Sequence, residues 1–101
     1  ELLMLGERVD ADRALEIGLA TQVVDDDALQ DAATALARRL AEGPTFAYGA
    51  TKKLLTAEQD MSLSAALEME AMTQALLMTT EDHAEFHRAF TEKREPRWRG
   101  R

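Results

Sequence analysis

The chain has 101 residues, 46% hydrophobic and 31% charged, with a net charge of −7 at pH 7. That length allows one small domain with a modest core, burying roughly two-thirds of the surface of the unfolded chain, and the composition excludes general disorder. The negative balance excludes a general nucleic-acid binder, which needs a basic face against phosphate; the absence of cysteine excludes disulfides and thiol chemistry; and no apolar run approaches the roughly 18 residues of a membrane span.

In chain order, the first stretch reads as helix, helix, short strand. Glu1 to Leu5 is apolar and stops at Gly6. Asp10 is placed to cap a helix over Ala11 to Ile17, accepting from its unpaired first-turn N–H groups, and Gly18 supplies the left-handed end. Leu19 to Val24 reads as extended, with at most one short strand near 20–24. Asp25 to Asp27 follow as a turn and an acidic helix start, favourable at the positive end of the helix dipole. The start at Glu1, with no Met and no signal-like segment, sets the expectation of a processed or truncated chain, with the cytoplasm as the default compartment.

From Ala28 to Glu42 the apolar positions Leu29, Ala32, Ala33, Leu36, Ala37 and Leu40 recur at three- and four-residue steps, which predicts an amphipathic helix. Gly43 closes it, and Pro44 opens a helix carrying Phe46, Ala47, Ala50, Leu54 and Leu55 on its apolar face. Ser62 caps a helix from Leu63 to about Thr79 whose Leu and Met residues cover more than one stripe, a surplus that suggests a partner surface. Thr80 caps a last helix running from Glu81 to about Lys93, ended by Glu95-Pro96, with Trp98 in the tail. The fold expected is therefore mainly α.

Charge is uneven along the chain. Six basic residues (Arg88, Lys93, Arg94, Arg97, Arg99 and Arg101) face only Glu92 and Glu95 over the last stretch, an end that suits a small anionic ligand. Chemistry is otherwise sparse. His83 and His87 lie one turn apart, but no third ligand is evident and two solvated helix histidines are the better account. Glu68 and Glu70 point apart on a helix, as surface charges do. The glycines at 6, 18, 43, 49 and 100 are dispersed, so no glycine pair offers two N–H groups as an oxyanion hole. No reaction follows from these residues alone.

A family resemblance adds one. Leu2-Leu3-Met4-Leu5-Gly6-Glu7 and the segment from Arg8 to Ala20 resemble the crotonase (enoyl-CoA hydratase/isomerase) superfamily, in its "EL-x-LTG" and "A-x-eAle-x-GLv" stretches. Gly43-Pro44 with Thr51-Lys52, and Thr80-Glu81-Asp82 with Ala89-Phe90-Thr91-Glu92-Lys93-Arg94-Glu95-Pro96, resemble its C-terminal helices. Trp98 replaces the usual phenylalanine, and Phe86 stands where a small residue is usual. The resemblance implies the C-terminal helical (trimerisation) region of a crotonase-like α/β spiral fold, and a parent enzyme whose oxyanion hole and acid/base glutamates lie upstream.

Several expectations follow from that resemblance. The reaction is addition of water to a 2,3-enoyl-CoA, in fatty acid metabolism, with the coenzyme A thioester as substrate and no other cofactor. The intact protein is a homo-oligomer, a trimer or dimer of trimers, without nucleic-acid or membrane partners. No catalytic residue lies in this chain, and the 101 residues alone are inactive. Residues 1–26 end the core, 27–94 form the oligomerisation region and 95–101 a basic tail. Lys93 and Phe90 are implied as coenzyme A contacts, and Gln74 and Leu77 as acyl-pocket or neighbouring-subunit contacts. The alternatives are a solvated lysine, a core phenylalanine and a surface glutamine, and for the whole chain a free-standing helical interaction module without catalysis.

Overall fold

The structure, a computed structural model describing residues 2–101, contains six α-helices and two 3-10 turns, with no strand among the described residues. Two compact units, Glu1–Ala35 and Leu36–Arg101, divide the chain within its third helix.

In the first unit, α1 (Leu2–Leu5) ends before Gly6, and α2 (Ala11–Glu16) opens at Asp10, whose Oδ1 accepts the Arg13 N–H at 2.8 Å. That bond satisfies one of the donors that a first turn leaves unpaired. Gly18, at φ +74, lets the chain reverse so that the N–H groups of Leu19 and Ala20 both donate to the Ala14 carbonyl, at 2.8 and 3.0 Å. The segment expected as extended, Leu19 to Val24, forms no strand among the described residues, because a strand exists only against a neighbouring strand that takes its backbone bonds. A 3-10 turn, Asp26–Ala28, leads into α3 (Leu29–Ala41).

In the second unit, α4 (Thr45–Ala57) follows Pro44 and runs through a 3-10 turn, Glu58–Asp60, toward α5 (Leu63–Leu77), against which it packs. Ser62 caps α5 through its Oγ, which accepts the Ala65 N–H at 3.3 Å. The Thr80 hydroxyl does two things at the α5–α6 junction: it accepts the His83 N–H at 3.2 Å and donates to the Leu77 carbonyl at 2.7 Å. α6 (Glu81–Glu92) starts there.

The modest core expected from composition does not form. Ala89, 1% exposed, is the one buried apolar residue among those described, whereas Leu36, Leu55, Leu67 and Leu76 are exposed and Met72 is 74% exposed. Apolar side chains stay exposed on every helix; α5 carries them on more than one face, and α4 packs against only part of it. No helix among the described residues is long and apolar enough to cross a membrane.

Candidate functional site

The two buried charged residues among those described both sit on α6. Asp82 is 5% and Glu85 8% exposed, three positions apart and so on one helix face. A carboxylate out of water is costly unless donors replace the lost solvent, and here the tail after α6 supplies them. Asp82 Oδ1 accepts the Arg99 N–H at 2.7 Å and Oδ2 the Gly100 N–H at 2.9 Å, while the Asp82 N–H donates to the Arg101 carbonyl at 3.1 Å. Side chain and main chain of one residue therefore hold the last three residues.

Glu85 holds the beginning of the same tail. Arg94 donates from Nη1 to Oε1 at 2.6 Å and from Nη2 to Oε2 at 3.3 Å, a two-pronged charge-assisted contact. The Arg97 N–H reaches Oε1 at 2.9 Å, and Arg88 Nη2 reaches Oε2 at 3.1 Å. The Arg94 guanidinium first, and then the Arg97 N–H, hold the Glu85 carboxyl at about 2, against the opposing effect of burial. Glu85 and then Glu92 push the Arg94 guanidinium upward in turn.

These contacts pair most of the basic residues at the C-terminal end with carboxylates. Arg88 and Arg94 pair with Glu85, Arg94 also with Glu92, and Arg99 and Arg101 with Glu81 at 3.3 and 3.4 Å. Of the six cations, only Lys93 and Arg97 make no ion pair with the described residues.

Lys93, near which the last helix was expected to end, is the residue just beyond its last turn. Its φ is 54, the only positive φ on a non-glycine residue among those described. The Lys93 N–H donates to the Phe90 carbonyl at 3.3 Å and the Arg94 N–H to the Ala89 carbonyl at 3.0 Å, the two bonds of a Schellman end, where glycine is usual. Phe90 is 75% exposed among the described residues. Its ring stacks at 6.2 Å on Phe86, which meets His87 edge-on at 5.7 Å, and His87 meets His83 edge-on at 4.7 Å. An aromatic strip thus runs along α6, and the exposed Lys93 follows Phe90 by three positions. Among the described residues no three His, Cys, Asp or Glu side chains gather to hold a metal.

Gln74 and Leu77 lie elsewhere in this unit. Both line a cleft of about 220 Å³ together with Ala47, Phe86 and Trp98, into which neither Phe90 nor Lys93 enters. Gln74 is exposed and Leu77 half-buried. Asp82 and Glu85 carried no functional expectation from sequence, and Arg94 was read only as part of the basic end. Their one signal was the three-residue spacing of the two carboxylates ahead of an arginine-rich tail.

Comparison with known proteins identifies the family. The sequence pattern of the family described as Enoyl-CoA hydratase/isomerase matches residues 1–101. The chain belongs to the enoyl-CoA hydratase/isomerase family. It is 38% identical over 100 residues to the 1,2-epoxyphenylacetyl-CoA isomerase of Escherichia coli (strain K12), spanning 99% of this chain and 38% of that protein. It is 34% identical to the (E)-benzylidenesuccinyl-CoA hydratase of Thauera aromatica, spanning 99% of this chain and 39% of that protein. A solved chain from Streptomyces coelicolor A3(2), provisionally named an enoyl-CoA hydratase, is 58% identical with a TM-score of 0.92 over 97% of this chain and 36% of its own. The chain therefore spans about two-fifths of the length of the curated relatives. Its crotonase-family helices are shared by proteins named isomerase, hydratase and dehydratase, as expected where reaction type is chosen by side chains on a common fold.

Proposed function

We propose that this chain is the C-terminal helical part of an enoyl-CoA hydratase, which adds water across a 2,3-enoyl-CoA and needs no cofactor beyond the coenzyme A thioester it consumes. The observation that carries the reading is the family match over the whole chain, with relatives named for hydration or, as dehydratases, for its reverse. In this reading the preorganised N–H donors for enolate charge and the proton-moving glutamates stand in the preceding part of the protein. The helical region 27–94 brings copies together as a trimer or dimer of trimers. Lys93 and Phe90 meet the nucleotide end of coenzyme A through phosphate and base, and Gln74 and Leu77 face an acyl chain or a neighbouring subunit.

Crotonyl-CoA hydration by the full-length protein tests this reading. Turnover by the full-length protein, and none by the 101 residues alone, is the expected result; hydration by the short chain above the buffer rate sinks the assignment of chemistry to the preceding part. The open apolar side of α5 favours a second reading, a helical association module without catalysis. Light scattering over a dilution series separates the two when paired with the assay, since a pure module associates yet leaves crotonyl-CoA unchanged.

A further inference from the structure

We propose that Glu85 is a positioning residue for coenzyme A, acting through Lys93 by holding the turn on which Lys93 stands. The proposal rests on the reading of Lys93 as a phosphate contact and goes beyond it by naming what fixes that lysine. A side chain in the left-handed region is sterically costly and persists only where its surroundings dictate it. The helix supplies half of the constraint through the carbonyls of Ala89 and Phe90. Glu85 supplies the other half, gripping Arg94 next to Lys93 and, with Oε1, the Arg97 N–H four positions beyond it.

The same carboxylate also settles which cation is available. Arg94, the immediate neighbour of Lys93, is drawn back onto Glu85 and Glu92. Lys93 keeps an exposed, unpaired ammonium among the described residues, one turn from the exposed Phe90 ring. A contact held before the ligand arrives loses less freedom on binding. Freed from Glu85, the turn samples other conformations and Lys93 meets phosphate less often.

Titration calorimetry of the full-length protein with free coenzyme A and with pantetheine, which lacks the nucleotide and its phosphates, tests this in wild type, Glu85→Gln, Lys93→Ala and the double variant. Each single variant is expected to weaken coenzyme A binding by about tenfold, with pantetheine unchanged, and the double variant to be no weaker than Lys93→Ala. Unchanged affinity in Glu85→Gln beside a loss in Lys93→Ala overturns the positioning role and leaves the lysine contact standing. A further loss on adding Glu85→Gln to Lys93→Ala also overturns it, because Glu85 then acts by general support of the tail. Unchanged affinity in Lys93→Ala overturns the lysine contact and the proposal with it. Arg94→Gln, which opens the clasp from the other side, must reproduce the Glu85→Gln pattern, and thermal melts of each variant show that the fold persists.

Discussion

Asp82 and Gly100 are 18 positions apart, yet Asp82 Oδ2 accepts the Gly100 N–H at 2.9 Å while Oδ1 accepts its neighbour, the Arg99 N–H, at 2.7 Å. Gly100 has φ +73, and a Cβ there would stand 2.5 Å from Thr45 Oγ1 at the start of α4. One carboxylate therefore seats the tail where only glycine fits. Gly100→Ala is expected to cost about 1–2 kcal/mol, the penalty of a left-handed side chain. Asp82→Ala should cost about 3 kcal/mol, two hydrogen bonds to a charged group at roughly 1.5 each. Denaturant titrations followed by the emission of Trp98, the single tryptophan, check both; equal stability of the two variants would contradict the ranking.

Glu85 makes docking of the tail acid-sensitive. Its carboxyl, ordinarily at 4.5, is held at about 2 by Arg94 and the Arg97 N–H. A depressed carboxylate contributes stability that is fully present above the unfolded value and disappears as pH falls through the folded one. The Trp98 signal is thus expected to change between about pH 4.5 and 2, and Glu85→Gln to abolish that step. A transition of the same size in Glu85→Gln would assign it to other groups.

Lys93→Gly separates backbone from side chain. Removing the Cβ at φ 54 is expected to raise stability by about 1 kcal/mol, read as an upward shift in Tm. Coenzyme A affinity of the full-length protein should fall in the same variant, because the ammonium is gone. Stability and binding then move in opposite directions, which a purely structural lysine does not produce.

Exposed apolar residues on α5 predict association of the isolated chain. Leu63→Lys with Met72→Lys, both at exposed positions, should lower the apparent mass by light scattering without loss of helical circular dichroism. An unchanged mass would place the contact on another surface.

Helix boundaries were largely legible in the sequence because they are set locally. Asp10, Ser62 and Thr80 each cap the helix expected of them, through side-chain bonds to an N–H three residues on, and Gly18 ends α2 with a positive φ. Features that need a partner were less legible. Leu19 to Val24 has the composition of a strand but no strand partner among the described residues. Phe90 has the spacing of a core residue, yet nothing described covers it.

The candidate site divides the same way. Sequence by itself determined the helical class, the caps, the family resemblance and the identity of Lys93 and Phe90 as candidates, since each depends on residues within a few positions or on a linear pattern. Only the tertiary structure decided that the basic end is mostly neutralised and that Asp82 and Glu85 hold the tail. Those contacts join residues 9 to 18 positions apart, and which carboxylate meets which donor depends on the path of the chain after the left-handed turn at Lys93.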